Sequence, residues 1–417
     1  MYLKLKKNSS LLESILSLSI LNILNMVLPL VTLPYLIKVV GMANYGAYSI
    51  AYAIIQYMLL VSTYGFNFSV TKQIAQHRED GIYINCIFNA TIAAKVCLSI
   101  AATIVFTVVT WIFFPITYLY MMLLGIGVVV GDLLNPVWLF QGMEKMRYMT
   151  LVNFICKLLF TILIFCFIKE EKDYLYITLL NSAGFLLAGG LSLYIACKVF
   201  GVYLSFPTYK DVFSQLKDGW YIFLSTIFMN LYRNSNVFIL GLFINESFVG
   251  IYASAEKVIK ASQSIASPIS NALFPYLAKS FTQGSLLSDM SKIKKVTLIM
   301  GGLLFLLSCA IFLGAPLIND VLLNGESSGA IELMQLMTPV IFFGGLNYIL
   351  GIVGLVNLGF QSSFFKYVMY SGILSIIFLV VTVNFWGNYS AAIAMCISEI
   401  TLFVMCLCKF NTLKIRV

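Results

Sequence analysis

The chain has 417 residues, of which 60% are hydrophobic and 10% charged, with a mean hydropathy of +0.94 and a formal net charge of +9. A soluble globular domain carries about 25% charged residues, so composition alone excludes one. Apolar windows of roughly 20 residues recur along the whole length, as in a polytopic helical membrane protein, whereas a β-barrel would show short alternating segments.

Taken in order, the first element is the apolar run 14–37, which follows the polar start MYLKLKKNSS. It is too long for the core of a signal peptide and lacks a small-residue cleavage site, so it reads as an uncleaved first span. Pro29 and Pro34 lie in it; membrane helices tolerate proline where neighbours satisfy the freed carbonyls. The pattern predicts eleven further spans, at 47–68, 84–110, 116–139, 148–168, 174–197, 219–243, 247–273, 293–314, 331–356, 364–385 and 390–409. The breaks between them hold turn and charge signals such as GMANYG, KQIAQHREDG, FPITY, QGMEKMR, KEEKD and NESFVG. The expected fold is therefore all-α with twelve membrane helices.

Lysine and arginine set the orientation. With the N-terminus inside, eighteen of them fall in cytoplasmic segments and three (Lys38, Lys169, Lys172) in outer ones. That asymmetry places both termini in the cytoplasm. It also accounts for most of the net positive charge without nucleic acid as a partner. An internal repeat, Gly46-Ala-Tyr48-Ser-Ile-Ala51 against Gly250-Ile-Tyr252-Ala-Ser-Ala255, recurs at an offset of 204 residues. Each copy opens an inward-running span. Six spans per copy give both halves the same orientation, hence two pseudo-symmetric lobes, 1–208 and 209–417, related by an axis along the membrane normal.

Charge inside the spans is the strongest functional signal. Lys95, Asp132, Lys157, Arg233, Glu256, Lys257, Lys260 and Glu399 all lie there. A lipid-facing charge at mid-bilayer costs about 2.5–3.5 kcal/mol on insertion scales, so these groups should face a hydrated or paired interior. Polar residues repeat at helical spacing beside them: Asn153, Lys157 and Thr161; Thr91, Lys95, Ser99 and Thr103; Thr226, Asn230 and Arg233; Asn22, Asn25 and Thr32; Glu256, Lys260 and Ser264, continued by Ser267 and Asn271. Glu256 and Lys260 have the favoured i,i+4 order for mutual neutralisation. The remaining bias is positive, with Lys95, Lys157, Arg233 and Lys257 as candidates for holding a phosphate-bearing anion. The competing reading is that each cation only pairs with an acid or carbonyl in helix packing, and it weighs most on Asp132, near a span end. Glu399 has no charged neighbour on its own helix and is a candidate proton carrier or an interhelical hydrogen-bonding group.

Other chemistry finds little support. The nine cysteines form no CxxC pattern, His77 is the single histidine, and a metal site or other cofactor is not expected. There is no GxxxxGK[ST] nucleotide loop. The longest expected outer loop, Ala315–Ala330, gives a membrane glycosyltransferase or polymerase little room for a catalytic acid or base.

Several motifs carry a family resemblance: Val39-Val40-Gly41 with Tyr45-Gly46, Tyr64-Gly65-Phe66, Trp138-Leu-Phe140-Gln141-Gly142-Met143-Glu144-Lys145-Met146, Ile168-Lys169 with Asp173-Tyr174, and Gly250-Ile-Tyr252. In order and spacing they resemble the Wzx-type O-antigen flippases of the polysaccharide transporter branch of the MOP superfamily, whose fold is that of MATE transporters. The resemblance implies export of undecaprenyl-diphosphate-linked oligosaccharide across the bacterial inner membrane by alternating access of two six-helix lobes, with no bond made or broken. It implies glycosyltransferases and a polysaccharide polymerase as partners, and roles for Lys157 and Arg233, where such transporters often carry basic residues. The alternatives are a MATE-like ion-coupled antiporter, for which an acidic interior is expected, and a membrane-embedded glycan polymerase or transferase, for which Asp320 or Glu326 would be essential.

Overall fold

The computed structural model describes the backbone of residues 2–265, 286–325, 327–356 and 358–415, and side chains within these except residues 2–26, 225, 229, 231–233, 286–289 and 414–415. The side chains of Asn22, Asn25 and Arg233, and the residues Ser267, Asn271 and Glu326, expected in the polar stripes or as candidates, lie outside what is described. The described chain is helical: α1 (Tyr2–Thr63), α2 (Phe66–Gln76), α3 (Gly81–Phe113), α4 (Ile116–Leu134), α5 (Val137–Gly142), α6 (Met146–Phe167), α7 (Tyr174–Phe200), α8 (Tyr209–Phe243), α9 (Glu246–Gln263), α10 (Leu286–Leu322), α11 (Ser328–Asn347), a π-helix (Tyr348–Val356), α12 (Gln361–Trp386) and α13 (Asn388–Ile415).

Nine stretches of the described residues are long and apolar enough to cross a membrane. One of them, Val27–Gln76, holds parts of two expected spans, because α1 kinks at Gly41 (φ 78°, ψ 165°) instead of stopping there. Helices α8 and α9 form where two more spans were expected; their Asn, Ser, Glu and Lys content lowers their hydropathy below that of the nine. The expected second span, 47–68, ends early at the left-handed pair Tyr64 (φ 48°) and Gly65 (φ 83°), after which α2 starts. The expected fourth span is broken at Asn135-Pro136, where proline cannot donate to the helix ladder, and resumes as the short α5.

The chain forms two compact units: Met1–Val40 with Ala47–Ile227, and Gly41–Gly46 with Phe228–Val417. In the first, α4 packs along α7, and the Ser182 hydroxyl donates to the Leu124 carbonyl at 2.5 Å. At one end α2 lies on α5, burying Phe66, Val70, Ile74, Phe88, Trp138 and Phe140 in one cluster. The Trp138–Met146 motif is the hub of that end. Arg78 donates to the Gly142 carbonyl and to the Glu144 carboxylate, both at 2.7 Å, and Thr71 donates to the Trp138 carbonyl at 3.2 Å. Its residues are thus used in packing and loop closure.

In the second unit α11 is central. It packs on α9, α10 and α13, and 67% of its membrane window is buried. The repeat motif explains the presence of 41–46 here. A Cβ on Gly46 would lie 1.9 Å from the Glu246 carbonyl oxygen, and one on Gly250 would lie 2.2 Å from that of Met42. Met42 and Glu246 are themselves 204 residues apart, as Gly46 and Gly250 are. Two repeat-equivalent helical segments therefore cross backbone to backbone, each using its own glycine to admit the other.

Candidate functional site: buried charge in the membrane helices

In the first unit, α3 carries the expected Thr91, Lys95, Ser99 and Thr103 stripe, and most of it is consumed locally. Thr91 and Thr103 donate to carbonyls one turn back, at 2.7 and 2.8 Å. Ser99 shares a hydrogen bond of 2.7 Å with Ser62 of α1. Lys95 is 3% exposed. Its ammonium donates to the Asp132 carboxylate at 2.9 Å and to the Asp132 backbone carbonyl at 2.7 Å, next to the C-terminal end of α4 where orphan carbonyls need donors. The Thr63 hydroxyl reaches the same carboxylate at 3.4 Å. The geometry of Lys95 and Asp132 is that of an interhelical ion pair.

Lys157 stands differently. It is half-buried near the middle of α6, a helix with no Asp or Glu. Its stripe neighbours bond to their own helix: Asn153 donates to the Met149 carbonyl at 2.9 Å, and Thr161 to the Lys157 carbonyl at 2.8 Å. Leu151, Ile155 and Ile162 on other faces are exposed, as lipid-facing residues of a membrane helix are.

The second unit holds two buried polar assemblies on α9. In the first, Asn236 of α8 donates to the Tyr252 hydroxyl at 2.8 Å, and that hydroxyl donates to Glu256 at 3.0 Å. Lys260 completes the chain with an ion pair to Glu256 at 3.2 Å and a hydrogen bond to Asn234 at 3.3 Å. The i,i+4 order of Glu256 and Lys260 thus yields the pair it suggested. Lys257, one position along, turns to another face and donates to the hydroxyl of the buried Tyr45 at 2.9 Å.

The second assembly surrounds Glu399 on α13, which is 4% exposed. One carboxylate oxygen accepts from Gln263 at 3.0 Å and the other from Asn347 at 2.7 Å. Asn347 also donates to the Glu399 backbone carbonyl at 2.9 Å, while its own side-chain oxygen is buried without a partner. No cation pairs with Glu399 among the described residues. Gly344 leaves the room for this: a Cβ there would fall 1.9 Å from the Gln263 amide nitrogen. The π-helix begins at the residue after Asn347, and such irregular turns inside membrane helices recur at functional positions.

Of the four expected anion-binding cations, Lys95 is brought to Asp132 and Lys257 to Tyr45, Lys157 stays on an acid-free helix, and the Arg233 side chain is outside the described residues. Sequence reasoning missed Tyr252, Asn236, Gln263 and Asn347. Tyr252, Glu256 and Lys260 are spaced four apart, a signal that was available; Asn347 lies alone in an apolar stretch and gave none.

Comparison with known proteins agrees with this architecture. The profile of the family described as "Polysaccharide biosynthesis protein" matches residues 11–281. A protein of Escherichia coli (strain K12) named "Putative O-antigen transporter" is 26% identical over 409 residues, covering 94% of each chain. One of the same name from Shigella dysenteriae is 24% identical over 400 residues, covering 95% of this chain and 98% of that one. Among solved structures, an inward-facing multidrug resistance MATE family transporter of the MOP superfamily superposes with a TM-score of 0.71 at 14% identity, over 92% of this chain and 98% of that one. A MOP superfamily transporter from Pyrococcus furiosus, described by the reverse polarity of its binding pocket, superposes with a TM-score of 0.62 at 15% identity, over 96% of both chains.

Proposed function

This chain belongs to the polysaccharide biosynthesis protein family and has the MATE-like fold, and we propose that it is a transporter, not an enzyme, and that it flips an undecaprenyl-diphosphate-linked oligosaccharide. The load is an O-antigen or other surface polysaccharide unit. It moves by alternating access from the cytoplasmic to the periplasmic leaflet of the bacterial inner membrane, with both termini in the cytoplasm. Relatives of the same length named for O-antigen transport support the substrate class. The observation that carries the mechanism is Lys157, a cation at membrane depth on a helix that holds no Asp or Glu.

In this reading Lys157 and Arg233 hold the diphosphate by charge-assisted hydrogen bonds, with Lys257 a further contact released from Tyr45 when substrate arrives. Lys95, held by Asp132, acts through helix packing. The polymerase and glycosyltransferases of the same polysaccharide would be its partners. Glu399 carries the coupling proton. A cation or drug antiporter is disfavoured by the charge count, in which five cations face three acids in the spans.

The test is flipping of a labelled polyprenyl-diphosphate sugar in vesicles by wild type, Lys157→Ala, Arg233→Ala and Lys157→Arg. The expected result is loss in both alanine variants and substantial rescue by Lys157→Arg. Full-rate translocation by both alanine variants would end the phosphate-clamp reading.

A further inference from the structure

The connection of the first unit where α7 gives way to α8 is irregular and pinned by side chains. α7 stops at Phe200, Gly201 takes a left-handed conformation (φ 69°), and residues 201–208 run without helix before α8 starts at Tyr209. Irregular backbone next to a membrane span needs hydrogen-bond partners, because hydrocarbon supplies none. Here two buried asparagines of α3 supply them. The Tyr203 amide donates to the Asn85 side chain at 2.9 Å and the Ser205 amide to the Asn89 side chain at 2.7 Å; the Asn89 amide returns a bond to the Tyr203 carbonyl at 2.9 Å.

The pinned backbone fixes what its side chains do. Tyr203 is 65% exposed, Leu204 63% and Phe206 fully exposed. The stripe continues into α8 with exposed Tyr209 and Phe213, four residues apart on one helical face. Two exposed lysines flank this apolar ledge, each with its ammonium over an aromatic ring. Lys145 lies 5.3 Å from the Phe200 ring centroid and Lys198 5.8 Å from that of Tyr194. Neither is in an ion pair among the described residues. An ammonium held over the face of a ring is fixed there by a cation–π contact, and both lysines remain exposed to an incoming anion.

We propose that this ledge is a lipid-headgroup docking surface selective for anionic phospholipids. Phe206, Leu204 and Tyr203 enter the boundary between acyl chains and headgroups, and Lys145 and Lys198 hold headgroup phosphates whose net negative charge is not cancelled within the lipid. Three observations favour a lipid over a protein partner. The ledge directly continues a membrane-spanning helix. Its exposed residues are aromatic and aliphatic, as in a membrane interface belt. Its cations are single and ring-supported, where recognition of an acidic protein segment would call for bidentate groups.

The surface stands independently of the flipping reading, and its test reads lipid binding alone. The full chain is reconstituted in nanodiscs of phosphatidylcholine with and without phosphatidylglycerol, and tightly retained lipid is counted by native mass spectrometry. Wild type should retain phosphatidylglycerol over phosphatidylcholine. Lys145→Gln with Lys198→Gln should lose that preference by about fivefold for each ammonium removed, with the thermal unfolding midpoint in neutral detergent unchanged. In vesicles, the added emission of Phe206→Trp over the native tryptophans should be quenched by lipids brominated near the headgroup. Equal retention of the two lipids by wild type would overturn the proposal. So would added emission from the Phe206→Trp variant that aqueous acrylamide quenches as fully as free tryptophan; that outcome would assign the ledge to a soluble partner.

Discussion

Lys95 offers the sharpest separation between a cation that builds the fold and one that binds substrate. Replacing Lys95 by Met would strand Asp132 beside α3. Breaking a buried ion pair by removing one partner typically costs about 3–5 kcal/mol. The Asp132 side chain is 24% exposed, so solvent screens part of its charge and the low end, about 3 kcal/mol, is expected. Asp132→Asn should cost less, about 1–2 kcal/mol, because the ammonium keeps its 2.7 Å bond to the backbone carbonyl of residue 132. Combining the two changes removes both charges, and the double variant should return to within about 1 kcal/mol of wild type. The assay is reversible unfolding in mixed micelles, run beside reconstituted flipping, which the double variant should retain. Strictly additive destabilisation would refute the pairing energetics. A double variant as stable as wild type but unable to flip would refute the structural role and return Lys95 to the substrate.

Other consequences can be checked in the same systems. Gly46→Ala or Gly250→Ala puts a methyl group on a backbone carbonyl and should destabilise by about 1–3 kcal/mol or more, whereas Gly190→Ala and Gly302→Ala, with no atom within 4 Å, should be neutral or slightly stabilising in a thermal melt. Tyr252→Phe removes the hydroxyl between Asn236 and Glu256 and should cost about 1–3 kcal/mol, with Lys260 accessible to amine-reactive label sooner than in wild type. Glu399→Gln should leave folding near wild type while abolishing the dependence of flipping on a proton gradient; an unchanged gradient response would remove Glu399 from coupling. Asn89→Ala frees the Ser205 amide and should raise hydrogen exchange at residues 203–205 without changing exchange in the body of α3.

The sequence disclosed the parts of this molecule that obey a single dominant force. Span positions follow from the length of an apolar run, and α3, α6, α7 and α12 begin and end within a few residues of expectation. The interruptions were harder to see. Asn135-Pro136 and Tyr64-Gly65 split expected spans because backbone conformation, not hydropathy, decides there. The π-wound turn after Asn347 left no trace in composition, since i→i+5 bonding changes the ladder without changing the residues that suit it. For the charges, periodicity identified which residues share a helix face but not what the face meets. Thus Glu256 and Lys260, partners on one helix, were legible. Lys95 with Asp132, and Lys257 with Tyr45, depend on which helix arrives from far along the chain, 37 and 212 residues away respectively.

The crossing of Gly46 and Gly250 has a corollary in symmetry. Each segment presents to its counterpart the same surface that its counterpart presents to it, the geometry of an isologous seam. Between two identical copies of such a segment, any side chain at the glycine would collide with its own image twice over. Neighbouring positions of the two segments differ freely, as Lys257 against Ala53 does. The two glycines had no such licence, because a methyl group on either strand is felt by the other.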